Sequence, residues 1–91
     1  MSKFDKLLEK LLLGRSDPSF VFSDLLHLLD CLGFEKHVRG SHHIFTRDGV
    51  EEQLNLQKYQ GTKHAKPYQV RQVRNLILKY GLGRGGNDDE V

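Results

Sequence analysis

Gly40-Ser41-His42-His43-Ile44-Phe45-Thr46-Arg47-Asp48-Gly49-Val50 is the stretch whose reading decides the fold. Asp-Gly between two alternating runs is the strongest short hairpin signal, because a type I′ turn needs positive φ at both central positions. With Asp48 and Gly49 as the whole loop, Arg47 lies opposite Val50. Phe45 then pairs with Glu52, His43 with Leu54 and His42 with Asn55. A three-residue loop would shift this register. Successive strand side chains point to opposite faces. Val50, Leu54 and Leu56 are the apolar side of the third strand, so Phe45 and His43 belong to the covered face. His42, Ile44 and Thr46 share the other face with Gln53, Asn55 and Gln57, which makes His42 the wet histidine.

Working outward, the first strand is predicted over Phe34 to Arg39, with Phe34 and Val38 alternating with Glu35, His37 and Arg39. Gly40 and Ser41 supply the reversal into the second strand, His42 to Arg47, and the third runs from Val50 to Gln57. The sheet is an antiparallel meander with one face apolar enough to be covered.

Upstream, Phe4, Leu7, Leu8, Leu11 and Leu12 follow the spacing of one apolar helical stripe, so Lys3 to Leu13 reads as an amphipathic helix. It either packs on its own domain or docks a partner chain. Gly14 to Ser19 is a connector, in which Gly14 suits a left-handed helix end and Pro18 blocks continuation. Ser23 reads as the N-cap of a second helix with Leu25, Leu26, Leu28, Leu29 and Leu32 on its core side, ended by Gly33. His27 falls at its surface or boundary.

Downstream, Lys58 to Lys66 is a polar loop. Pro67 suits the first position of a last helix. There Val70, Val73, Leu76, Ile77 and Tyr80 face inward, Arg71, Arg74 and Lys79 fall mostly on the solvated side, and Gly81 closes it. The chain divides into an N-terminal helix and connector (1–19), a main domain (20–82) and a loose tail (83–91). The fold class is α+β, with helices covering one face of a three-stranded sheet and the other face left open.

A chain of 91 residues holds one small core. The formal charge of +2 does not by itself announce a nucleic-acid binder, but Asp88, Asp89 and Glu90 sit in the tail, so the folded part is more basic. Cys31, the one cysteine, falls in an apolar helical pattern and reads as a buried, inert thiol, which fits a reducing cytoplasm. No signal peptide is read, and the apolar runs are too short to cross a bilayer.

An exposed histidine beside basic groups suits one chemistry: general acid or base work on a phosphodiester with a neighbouring hydroxyl, which RNA offers at every nucleotide. Arg39, Lys63, Lys66 and Arg71 are the candidate phosphate holders, aided by the N–H groups at the start of the last helix. Ser41 and backbone amides near Gly40 could steady developing charge. Read from residue types alone, a solvated strand histidine is the ordinary case, and His43 is a packed residue. A zinc site from His37, His42, His43 and His64 matches no common spacing and has no cysteine partners. No metal or cofactor is expected.

Gly40-Ser41-His42-His43-Ile44-Phe45, with Leu32-Gly33-Phe34 upstream, the Arg47-Asp48-Gly49 hairpin and the closing Lys66-Pro67-Tyr68-Gln69-Val70-Arg71-Gln72-Val73-Arg74, resembles the HicA (YcfA-like) toxin family over roughly residues 22–82. The resemblance implies a double-stranded-RNA-binding-domain-like fold. It further implies a metal-independent mRNA interferase, neutralised by a HicB-like antitoxin, whose catalytic histidine is His42 in the context of Gly40 and Ser41, with His43 as runner-up. The third strand departs from the family's Val-Pro-His-like segment with Leu54-Asn55-Leu56-Gln57, so any role of that histidine is missing or passes to His64. The helix over Lys3 to Leu13 is extra relative to compact members. His64, Lys66 and Tyr59 are the candidates for a second catalytic group. The alternative reading is a non-catalytic RNA-binding or protein-interaction domain of the same fold.

Overall fold

The computed structural model describes residues 2–83. Helix α1 spans Lys3–Leu13, a 3-10 turn Asp17–Ser19, and α2 Phe22–Cys31. Strands β1 (Glu35–Arg39), β2 (His42–Arg47) and β3 (Val50–Leu56) follow, then α3 over Pro67–Tyr80. The strands pair as an antiparallel meander in the order β1-β2-β3. This is the predicted α+β architecture: α2, the meander and α3 follow in double-stranded-RNA-binding-domain-like order, with α1 in front. Among the described residues, no helix is long and apolar enough to cross a membrane.

Helix α1 begins at a reciprocal cap, in which Asp5 N–H donates to Ser2 Oγ and Ser2 N–H reaches back to the Asp5 carboxylate. Its buried Leu7, Leu8 and Leu11 join one core with residues of α2, β2, β3 and α3. The apolar stripe is therefore spent inside the domain. Arg74, expected on the solvated side of α3, instead turns inward. Its Nη1 donates to Leu11 O (3.1 Å) and Asp17 Oδ1 (2.9 Å), and its Nη2 to Asp17 Oδ2 (3.0 Å). Gly14 ends α1 at φ 72°, and a Cβ there would sit 3.3 Å from Arg74 Nη1, so glycine answers both the backbone and the space.

Several local expectations change. Helix α2 starts at Phe22 after Val21, with no side-chain cap, because the Phe22 N–H donates to Lys63 O (2.9 Å) and a loop carbonyl does the work assigned to Ser23. Phe34 is buried but precedes β1, and Gln57 follows β3. Cys31 is exposed rather than buried, with its sulfur 3.6 Å from His27 Nε2. β1 lies outside the helical cover, and Val38, which alternates with the polar residues of that strand, is 54% exposed. Gly83, assigned to the tail, sits close against Leu8 and Leu32. The rest of the proposed tail and its acids lie outside the described residues.

The hairpin register also differs. Arg47 does pair with Val50, but Phe45 faces Leu54 and His43 faces Leu56, with an irregularity between Phe45 and Arg47. Gly49 has φ 88° while Asp48 is not left-handed, so the turn is not type I′. Unprimed turns splay the strands, and a bulge restores the twist. The slip of two residues sets apolar Leu54 against Phe45 in place of Glu52. Because it is two, every side chain keeps its predicted face.

Glu52 uses that freedom to bind α3: its carboxylate accepts from Lys79 Nζ (2.6 Å) and Tyr80 Oη (2.5 Å). The Lys79 ammonium, followed by the Tyr80 hydroxyl, holds the Glu52 carboxyl down from 4.5 to about 2. A folded-state value below the unfolded one stabilises the fold above the ordinary carboxylate range. That contribution is lost as pH falls from 4.5 towards 2. The melting temperature of the wild type is therefore expected to drop more steeply across this window than that of Glu52→Gln. Parallel curves would show that the contact does not couple to folding.

Candidate functional site

The turn from β1 to β2 carries Gly40 at φ 61°, the sign a type II′ turn needs at its first central position. It brings Arg39 directly opposite His42. Strand alternation then puts Arg39, His37 and Glu35 on one face with His42, Ile44 and Thr46. This is the face the helices leave open, and His42 is exposed on it.

His42 is oriented by β3. Its Nδ1–H donates to Asn55 Oδ1 at 3.0 Å. In the neutral ring this contact puts the proton on Nδ1 and the lone pair on Nε2, the nitrogen a general base uses. Next to it, Gln57 bridges the motif turn to α3. Its Nε2 donates to Ser41 Oγ (2.9 Å) and its Oε1 accepts from Lys66 Nζ (3.2 Å). Lys66 is the N-cap position of α3, so its ammonium stands at a helix start whose first turn carries no acid. The result is one positive, hydroxyl- and imidazole-bearing surface assembled from β1, β2, β3 and the start of α3.

Gln69 holds this arrangement from behind. It is buried, its Oε1 accepts from the Gln57 N–H (3.1 Å), and its Nε2 donates to Asn55 O (3.2 Å). It thereby completes the end of β3 in place of another strand. Gln69→Leu leaves both backbone groups without partners and is expected to cost about 2 kcal/mol in urea unfolding. A loss under about 0.5 kcal/mol would mean water replaces the amide without penalty.

His43 faces the other way. Its ring meets Phe22 edge-on, with centroids 5.2 Å apart, and its Nδ1 is buried without a hydrogen-bond partner. It is packed against the helices, as its strand position predicts, yet one of its polar atoms is left over.

Of the other expected site residues, Arg39 pairs with His42 across the strands, Ser41 precedes it in the turn, and Lys66 reaches Ser41 through Gln57. Lys63 and Arg71 are exposed, and their side chains make no hydrogen bond among the described residues. Lys63 contributes its carbonyl to the start of α2. His64 is half-buried, bridged to Val21 and accepting the Tyr59 N–H on its carbonyl (2.9 Å). Of the three candidate second groups, Lys66 is the one hydrogen-bonded into the Ser41–Gln57 chain. No three or more His, Cys, Asp or Glu side chains among the described residues gather as a metal site.

Asn55, Gln57 and Gln69 were not singled out in the sequence as site members. Asn55 and Gln57 carried a signal, since alternate positions of β3 share the face of His42. Gln69 carried none, because an amide on a helix looks like surface until its helix is docked. Two tyrosines, Tyr59 in the β3–α3 loop and Tyr68 in the first turn of α3, are exposed and add flat aromatic surface.

No family model, curated protein or solved structure matches the chain.

Proposed function

We propose that this chain is a toxin-type endoribonuclease, an mRNA interferase of the cytoplasm that cuts RNA by metal-independent acid–base work of His42 and is neutralised by a HicB-like antitoxin protein. The observation that carries the proposal is the exposed His42 ring held through Nδ1 by Asn55, with its other nitrogen free, beside Arg39 and the Ser41–Gln57–Lys66 chain. The resemblance of the Gly40 to Phe45 stretch to HicA toxins supplies the same assignment independently.

In this mechanism His42 Nε2 takes the proton of a ribose 2′-hydroxyl. The resulting oxygen attacks the adjacent phosphorus, the bond to the 5′ oxygen breaks, and that oxygen takes up a proton. The products are a 2′,3′-cyclic phosphate and a 5′-hydroxyl. Arg39 and Lys66 hold the phosphate and oppose the charge that grows on it. Lys63, Arg71 and the start of α3 attract the flanking backbone. Tyr59 and Tyr68 offer faces on which unpaired bases stack.

The test is RNA cleavage by the purified chain with EDTA present, wild type against His42→Ala. Cleavage lost in the variant supports the proposal. Equal cleavage by both proteins moves the chemistry to His43 or another group. Salt-sensitive RNA binding with no cutting by either identifies a non-catalytic RNA-binding domain of the same fold.

A further inference from the structure

Behind the catalytic face, a groove of about 650 Å³ runs between the first turn of α2, the Ser41 turn and the loop after β3. It lies within the range of small-ligand sites, roughly 300–1,000 Å³. Phe22 and Leu26 give it an apolar wall, Ser23 and Gln60 a polar rim, and Lys58 a positive charge. His43 also lines it. Ser41 and Gln57 border the groove as well, and both belong to the hydrogen-bonded chain next to His42.

His43 points to what the groove takes. Its Nδ1 is buried with no partner. A buried bare lone pair costs less than a buried N–H without an acceptor, so the ring proton belongs on Nε2. The ring then carries one N–H donor in a groove that otherwise offers apolar surface, two hydroxyls, amides and one cation. A nucleobase has the matching chemistry: apolar faces, a polar edge bearing acceptors, and a phosphate within reach of a lysine. An amphipathic peptide would bring apolar side chains to amide and hydroxyl groups it leaves unpaired, and an apolar ligand would leave Lys58 and Gln60 without work.

We infer that this groove binds one unpaired nucleobase of the RNA substrate, next to the phosphodiester presented to His42, and so sets which RNA sequence is cut. The inference rests on the endoribonuclease reading. Its test reads base binding separately from cutting. The groove supplies contacts to a base, while His42 and Lys66 act on the sugar and phosphate. Strand alternation puts His43 and His42 on opposite sides of the sheet, and Ser41, which borders the groove and directly precedes His42, is where one RNA strand would cross from the groove to the open face.

The experiment is a titration of isotope-labelled full chain carrying His42→Ala with each of the four 5′-mononucleotides and with ribose 5-phosphate, followed by amide chemical shifts. At least one nucleotide is expected to shift Phe22, Leu26, His43 and Gln60, and to bind about tenfold tighter than ribose 5-phosphate, the weight of one stacked base. Ser23→Trp fills the groove from its exposed rim and is expected to abolish those shifts with the rest of the spectrum native. Gln60→Ala, also at the rim, is expected to weaken them. In the His42-containing protein, Ser23→Trp is expected to flatten the sequence preference of cleavage. Equal binding of ribose 5-phosphate, no shifts in the groove, or an unchanged sequence preference in Ser23→Trp would overturn the inference. Cleavage that still depends on His42 would, in that event, leave the endoribonuclease reading standing. Base binding without any RNA cleavage would instead remove that reading and leave a base-binding groove.

Discussion

His42→Ala is expected to lower the rate of RNA cleavage by about 10²–10⁴-fold, the usual weight of one general acid or base. Its unfolding midpoint is expected to stay at the wild-type value. Both expectations come from the same placement. The ring is exposed on the uncovered face, and its one hydrogen bond is to the Asn55 side chain at the surface. Removing it takes nothing from the core. Asn55→Ala should give a smaller loss, because the ring stays but loses the contact that selects its tautomer. It should also change the pH profile of cleavage, which a purely structural role would not do. His43→Ala provides the contrast. That ring packs on Phe22, so its removal should lower the melting temperature as well as activity. Initial rates on a labelled RNA, with EDTA and a parallel melt of each variant, separate these cases. A folded His42→Ala protein with full activity would sink the catalytic assignment.

Arg74→Ala is expected to lower stability by about 3 kcal/mol, because it leaves a buried carboxylate without its partner. The melting temperature of a domain this size should fall by roughly 15 °C. The guanidinium makes a two-pronged contact with Asp17 and a third bond to the last turn of α1, and both charged side chains are largely buried, at 16% and 11% exposure. Asp17→Ala should cost a similar amount, since it strands the buried arginine. The double substitution should cost less than the sum of the two, which is the mark of a direct pair. Arg74→Lys should rescue little, because an ammonium cannot span both carboxylate oxygens and the Leu11 carbonyl. Urea unfolding of the wild type and these four variants decides it. Losses under about 1 kcal/mol for both single variants would make this an ordinary surface ion pair.

That clamp changes the standing of α1. Its stripe of Leu7, Leu8 and Leu11 is sufficient for a helix, but the sequence leaves open whether the stripe meets its own domain or a partner. The contact between Arg74 and Asp17 spans 57 residues of chain, and it joins the connector after α1 to the middle of α3. A basic residue on a helix and an acid in a loop carry no sign that they meet. Their pairing depends on how the two segments pack, which no local pattern records.

The hairpin shows the opposite case. Alternation along β2 and β3 determined which side chains share a face, and a two-residue slip could not disturb it. His42 therefore lies on the open face and Phe45 in the core, even though their cross-strand partners differ from those expected. The slip itself follows from the backbone of Asp48, which avoids the left-handed region that a type I′ turn demands.

By itself, then, the sequence determined the order of the helices and strands, the face on which each strand residue lies, and which of the two adjacent histidines, His42 or His43, is left in solvent. Those properties follow from periodicity, glycine and proline, which act within a few residues. Only the tertiary structure decided that β1 stands clear of the helices, that Cys31 is exposed, that Arg74 turns inward to Asp17, and that Asn55, Gln57 and Gln69 tie His42, Ser41 and Lys66 into one surface. These depend on the lateral docking of helices on the sheet and on amides that become site members or buried braces only when a distant segment supplies their partner.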